Sequence, residues 1–175
     1  KQFLNLGSTH ESLLQETCRR LEGLAHKSQV RVIGSKFHEY ELKQQLQQVY
    51  PEFPEANLLL EPVGRNTAPA VLWGLNLLSE KDMQDPLLIL PADHLIGDLK
   101  SFREAVSKAE DLCRSGFIVT FGIKPERPET GYGYLKSGSP LDHGYRLERF
   151  VEKPDEQKAL ELSLIHISEP TRLTM

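Results

Sequence analysis

Leu58-Leu59-Leu60-Glu61-Pro62-Val63-Gly64-Arg65-Asn66-Thr67-Ala68-Pro69-Ala70 leads an apolar run through a polar loop into a helix, and that order decides the fold. Asn57 to Leu60 reads as a strand ended by Glu61-Pro62. The helix expected near 67–80 carries Val71, Leu72, Trp73, Leu75, Leu77 and Leu78, apolar nearly all round, so it is expected inside the domain. Thr67 or Asn66 is placed to cap it, and Pro69 fits the first turn, where no amide hydrogen is missed. The free N–H groups and the dipole at that end favour an anion, which makes the strand, the Gly64 loop and the helix start together an arrangement suited to a nucleotide.

Outward from this stretch, strands and helices alternate. Ser8-Thr9-His10-Glu11 is a capping-box signal, and Leu13, Leu14, Thr17, Cys18, Leu21 and Leu24 recur at helical spacing, predicting a first helix over about 9–26. Val30 to Ile33 predicts a strand ended by Gly34, and Glu39 to Val49 a second, amphipathic helix. Leu87-Leu88-Ile89-Leu90 is a continuous apolar run, expected for a central parallel strand covered on both faces. Ser101-Phe102-Arg103-Glu104 predicts the start of a helix lasting to about Arg114, Phe117 to Phe121 a strand, and 132–137 and 145–151 two shorter strands. The pattern predicts an α/β protein, a three-layer sandwich with a mostly parallel sheet.

The chain has 175 residues, 39% hydrophobic and 26% charged, enough for one full core. A formal net charge of -4 argues against a nucleic-acid backbone or an anionic membrane as the main partner, while leaving room for a local phosphate pocket. No stretch approaches the ~18 apolar residues of a membrane span, and no charged-then-apolar leader is present. Cys18 and Cys113 each sit on the apolar face of a helix and read as small core residues, so a reduced, cytoplasmic protein is expected.

Asp93 follows the apolar run 87–90 where open parallel sheets place their ligands, which makes it the best metal candidate. Magnesium takes one or two carboxylates and keeps water and phosphates for its other positions. From spacing alone, a turn cap after Pro91 is the commoner role for such an aspartate. His94 has no second histidine at ligand spacing and reads as orienting or structural. Gly131 and Gly133 flank Tyr132; either a turn needing positive φ or a close ligand approach explains them equally well. Glu152-Lys153 is a carboxylate beside an ammonium, most often merely a solvated pair.

The loop from Glu61, Pro91-Ala92-Asp93-His94, Gly131-Tyr132-Gly133-Tyr134 and Val151-Glu152-Lys153-Pro154-Asp155 occur in an order that, with the opening Lys1-Gln2-Phe3-Leu4, resembles the bacterial mannose-1-phosphate guanylyltransferases. The resemblance covers roughly residues 1–160. It implies the nucleotide-diphospho-sugar transferase type of fold, with a helix starting at Pro154-Asp155. It implies GTP and mannose 1-phosphate as partners, GDP-mannose and pyrophosphate as products, and a divalent metal, Mg2+, on Asp93. It implies a catalytic set of Lys1, Asp93 and Lys153, and nucleotide binding by Glu61, Pro62, Arg65, Asn66, Thr67 and Ala68. Gly131, Tyr132, Gly133, Glu152 and Lys153 would hold the sugar phosphate, with the Glu152 carboxylate on sugar hydroxyls and Lys153 on the phosphate. Guanine would be read by an acceptor in 61–68, either the Glu61 carboxylate or a backbone carbonyl beside Pro62. No nucleic acid or membrane is implied, and a homo-oligomer is left open.

The family's glycine-rich signature would lie just upstream of Lys1, so residues 1–161 are expected to be a partial nucleotidyltransferase domain, truncated at both ends. Residues 162–175 depart from the family and are expected to be a non-native or disordered tail. The alternatives are a relative acting on another sugar phosphate or nucleotide, and a non-catalytic nucleotide- or sugar-phosphate-binding module. A dinucleotide-dependent dehydrogenase is disfavoured, since no G-x-G-x-x-G follows a strand.

Overall fold

The computed structural model describes residues 1–6 and 10–165. The chain divides into two compact units, one from Lys1 to Leu95 and the other beginning at Ile96.

In the first unit, α1 (Leu13–Arg20) is followed by β1 (Val32–Ser35), α2 (Glu39–Val49), β2 (Leu58–Glu61) and α3 (Thr67–Leu75). β1 and β2 pair in parallel, Val32 opposite Leu58 and Ser35 opposite Glu61, with α2 as the crossover a parallel pair requires. The core is a seam between α1 and α2, where Leu14, Cys18, Leu42, Leu46 and Val49 are buried and Val32, Leu58 and Leu60 of the strands pack against them. The two helices are also joined by polar bonds. Ser12 Oγ donates to Gln45 Oε1 at 2.6 Å, Gln15 Nε2 to Gln48 Oε1 at 2.6 Å, and Tyr50 Oη to the Cys18 carbonyl at 2.7 Å. Gly34 has a packing reason: a Cβ there would stand 2.7 Å from Leu42 Cδ1, so the missing side chain lets α2 lie against β1.

The second unit contains α4 (Leu99–Arg114), the antiparallel hairpin β3 (Tyr134–Leu141) and β4 (Gly144–Val151), and α5 (Glu156–Ile165). Ala159 and Leu162 of α5 are buried with Tyr134 of β3, and Val151 packs against them. Asp155 Oδ1 accepts from the Lys158 amide at 2.8 Å, capping the first turn of α5. The boundary expected at 162 falls inside α5; residues 166–175 of the expected tail lie outside the described residues.

Several expectations are corrected. α1 starts at Leu13, not near 9: Ser12 and Gln15 form the capping box, while Ser8 and Thr9 lie outside the described residues. It stops at Arg20 because the chain tightens into short turns around Gly23, whose φ of 82° no helix accommodates. α4 starts earlier, at Leu99, because the Asp98 carboxylate takes the Ser101 amide at 2.9 Å. Residues 87–90 and 117–121 join no ladder among the described residues. A strand is completed only where a neighbour takes its N–H and C=O groups. The cover expected on both faces of 87–90 is not found either: Leu87 and Ile89 are exposed while Leu88 and Leu90 are half-buried, so one face is covered. The α/β class stands, with one parallel and one antiparallel pairing. The apolar α3 is not buried: none of its residues reaches the interior and Leu72 is 60% exposed. Cys18 is buried as expected, but Cys113 is only half-buried.

Candidate functional site

In the first unit, two of the expected catalytic residues meet. Lys1 Nζ lies 3.3 Å from Asp93 Oδ2, both side chains substantially exposed. An exposed pair of this kind adds little attraction by itself, so its geometry has to come from the backbone beneath it. On one side, the first turn of α1 leaves amides without helical partners, and these hold the opening segment: Leu14 donates to the Gln2 carbonyl at 2.9 Å and Leu13 to that of Leu4 at 3.1 Å. On the other, Arg20 Nη2 donates to the carbonyl of His94 at 3.0 Å. The role expected for His94, orienting or structural, falls to its backbone. Arg20 is 2% exposed, and burial lowers its pKa from the usual arginine value.

A cavity of about 220 Å³ opens beside Asp93, lined by Gln2, Ala92, His38 and the β1 residues Val32 to Ser35. It is smaller than the ~300–1,000 Å³ of pockets that enclose a whole organic ligand. Among the described residues no cluster of three or more His, Cys, Asp and Glu side chains is placed to hold a metal. A single exposed carboxylate fits a hard cation that takes its remaining ligands from water and phosphate, as magnesium does, and fits zinc poorly.

The loop expected to bind the nucleotide begins at Glu61, the last residue of β2, which is half-buried opposite Ser35, and runs exposed through Pro62, Arg65, Asn66, Thr67 and Ala68. Asn66 occupies the cap position of α3 but makes no side-chain cap bond, and Thr67 is already the first helical residue. The capping expected of one or the other is therefore not made. The reason is conformational: Asn66 has φ 70° and ψ -179°, a region that only glycine enters freely, whereas the working cap Ser12 has φ -75° and ψ 163°.

In the second unit, Gly131 and Gly133 lack the positive φ that a turn explanation requires; among the described glycines only Gly23 and Gly116 have it. Gly133 is instead demanded by packing, because the Phe150 ring occupies the place its Cβ would take. Tyr132 is 71% exposed between them. The Tyr134 hydroxyl accepts from the Glu129 amide at 2.8 Å and lies 3.2 Å from Ser163 Oγ, anchoring the loop to α5. Just past β4, Lys153 Nζ sits 3.9 Å from Glu152 Oε1, and Lys153 has φ 40°. The residue before a proline is normally held extended, and Pro154 is buried, so this backbone is strained.

Among the described residues, Asn66 and Lys153 are the non-glycine residues with positive φ, and both belong to the expected site. Each such conformation costs on the order of 1–3 kcal/mol and persists only where its surroundings impose it. Sequence reasoning missed Arg20 and Phe150, and gave Tyr134 no role beyond its place in the motif Gly131-Tyr132-Gly133-Tyr134. For Arg20 a signal existed: it falls three residues after Thr17 and seven after Leu13, on the helix face already assigned to the core.

The nucleotidyl transferase family model matches residues 1–170. Mannose-1-phosphate guanylyltransferase of Escherichia coli is 43% identical over 164 residues, covering 91% of this chain and 34% of the relative. Xanthan biosynthesis protein XanB of Xanthomonas campestris pv. campestris (strain B100) is 46% identical over 156 residues, covering 89% of this chain and 32% of that protein. Among solved structures, mannose-1-phosphate geranyltransferase from Thermus thermophilus superposes with a TM-score of 0.72 at 36% identity, covering 88% of this chain and 44% of that one. The chain thus spans about a third of the length of the curated relatives it matches.

Proposed function

Since the chain belongs to the nucleotidyl transferase family, we propose that it supplies part of the site of an enzyme making GDP-mannose and pyrophosphate from GTP and mannose 1-phosphate. The relatives' names support the substrates, and one observation carries the chemistry: Lys1 and Asp93, 92 residues apart, stand 3.3 Å from each other on a braced backbone. A phosphate oxygen of mannose 1-phosphate attacks the α-phosphorus of GTP in line, a bond to pyrophosphate breaks, and pyrophosphate leaves. A phosphate nucleophile needs no general base, so the protein's task is alignment and charge neutralisation.

In this reading Lys1 faces the triphosphate and Lys153 holds the sugar phosphate as a point charge, while Glu152 accepts from sugar hydroxyls. Asp93 would hold a divalent cation, magnesium by the character of its donor set, which supplies positive charge to the phosphates when bound. Gly131, Tyr132 and Gly133 wall the sugar side, and Pro62, Arg65, Asn66, Thr67 and Ala68 line the nucleotide. We place the reaction in the cytoplasm, where Cys18 and Cys113 stay reduced. No helix among the described residues is long and apolar enough to cross a membrane.

The test is turnover by the full-length protein: GTP with mannose 1-phosphate should yield GDP-mannose and pyrophosphate with Mg2+ present, and absence of product overturns the reading. Base choice is tested by Glu61→Gln, which keeps one acceptor and adds a donor where guanine offers N–H groups. The GTP-over-ATP preference should narrow by roughly 5- to 150-fold, the range for leaving a buried acceptor unpaired. An unchanged preference eliminates the Glu61 side chain as the reader and leaves a backbone carbonyl beside Pro62 standing; silent substitutions at Arg65, Asn66 and Thr67 as well would move guanine recognition out of this segment.

A further inference from the structure

We propose that Arg20 is a positioning residue: its buried guanidinium holds the Asp93–His94 turn through the His94 carbonyl and so sets where the Asp93 carboxylate stands. The proposal rests on the reading of Asp93 given above. Residues 86–95 contain no helix or ladder strand, so this turn takes no placement from a sheet. Ala92 packs against the α1–α2 core, and the residues beyond it are tied by a bond spanning 74 residues of sequence, Arg20 Nη2 to the His94 oxygen at 3.0 Å, made by a side chain 2% exposed.

The same helix holds the other half of the pair. The amides of Leu13 and Leu14, in the first turn of α1, carry the carbonyls of Leu4 and Gln2, and Arg20 is its last residue. At 1.5 Å per residue, a helix of this size spans on the order of 12 Å, so α1 acts as a short rigid bracket: its first turn holds the Gln2–Leu4 backbone, and the long side chain of its last residue, Arg20, holds the His94 carbonyl. The bracket is itself fixed to α2 by the bonds from Ser12, Gln15 and Tyr50. The 3.3 Å spacing of Lys1 and Asp93 then does not depend on their own weak, solvated attraction.

Stability is a poor reason for an arginine at this place. Taking a guanidinium out of water is expensive, and an apolar side chain of similar volume often serves a core at least as well. What an apolar chain cannot do is donate to a backbone oxygen of a neighbouring loop from a planar, preorganised fork.

The experiment compares wild type, Arg20→Met, Arg20→Lys and Asp93→Ala in the full-length protein. Backbone 15N order parameters at residues 92–95 should fall from the rigid range of about 0.85 to below about 0.6 in Arg20→Met and less far in Arg20→Lys, while those of α2 stay as in wild type. Arg20→Met should also lower kcat and raise the Mg2+ concentration for half-maximal turnover, together roughly 10- to 100-fold, as is usual when a group supporting a metal ligand is removed. The KM for mannose 1-phosphate should stay near wild type, and Arg20→Lys should recover part of the loss. A lowered melting temperature with unchanged order parameters at 92–95 and an unchanged Mg2+ requirement would mean a structural role only, and overturns the proposal. Should Arg20→Met not fold, Arg20→Lys decides: a fall confined to 92–95 supports positioning, and none, or a fall spread evenly over the first unit, overturns it. Wild-type turnover in Asp93→Ala would refute the reading of Asp93, while the order parameters still decide whether Arg20 holds the turn.

Discussion

Lys1–Asp93 and Glu152–Lys153 are both exposed pairs of opposite charge, 3.3 and 3.9 Å apart, yet their backbones are held by opposite means. The first pair sits on relaxed segments fixed from outside, by α1 amides and the buried Arg20. The second sits on a strained residue, Lys153 at φ 40°, trapped between the end of β4 and the buried Pro154 that leads into α5. Charged groups that attract each other weakly in water can therefore be placed by distant hydrogen bonds or by local strain. The two devices fail differently when mutated.

The largest effect is expected at Asp93. Replacing it with Ala or Asn in the full-length protein should cut the proposed turnover by about 10²- to 10⁴-fold, since metal charge stabilisation is worth several kcal/mol, with circular dichroism and melting temperature unchanged. Near-normal Mg2+-dependent rates would break the first half of the comparison.

Lys153 comes next. Lys153→Ala should raise the mannose 1-phosphate requirement ~10- to 100-fold and that for GTP far less; an equal rise for both would assign the residue to the triphosphate or to stability. Lys153→Gly should lose the same substrate affinity but be more stable than Lys153→Ala by about 1 kcal/mol, because glycine enters φ 40° without strain. Equal melting temperatures for the two variants would remove strain from the account.

The smallest effect separates the cysteines and probes the α1–α2 scaffold. Burial pushes the Cys18 thiol up to about 12, so at about pH 8 a thiol reagent should label half-exposed Cys113 in the native protein and Cys18 only on unfolding. The sign of the linked stability follows: because the folded state holds the proton more tightly, this contribution is full below pH 9.0 and is lost as pH rises toward about 12. Tyr50, pushed by its own burial to about 12 from 10.0, acts in the same direction. Early labelling of Cys18 would show that α1 opens readily and is no rigid bracket.

Much of the local structure was legible. The amphipathic period of 39–49 reads directly as α2, and the two strands expected at 132–137 and 145–151 appear as β3 and β4, because each pattern is complete within its own segment; that they pair antiparallel, with β3 running on to Leu141, was not legible. The same logic misled at 67–80. An apolar period says what a helix buries only if some layer covers it, and within the described structure α3 stays largely uncovered. At 87–90 an unbroken apolar run suggested cover on both faces and a central strand. Only one face is covered, and a ladder needs a partner that lies elsewhere in the chain. For the glycines around Tyr132, the spacing suggested turn or ligand, and for Gly133 the Phe150 ring across the hairpin supplied a third reason.

By itself, the order of residues determined the amphipathic helix at 39–49, the apolar face carrying Cys18, and the motif order that points to nucleotidyl transfer and, through that resemblance, to a helix starting at Pro154-Asp155. Such features are local: side-chain spacing along one helix or strand, and caps within three or four residues, are written in consecutive letters. The tertiary structure alone decided that Arg20 reaches His94 across 74 residues, that Lys1 meets Asp93 across 92, and that Asn66 and Lys153 take backbone conformations their side chains do not favour. Contacts between distant segments and strain imposed from outside a residue depend on how elements pack against one another, and no window of sequence contains the neighbour that enforces them.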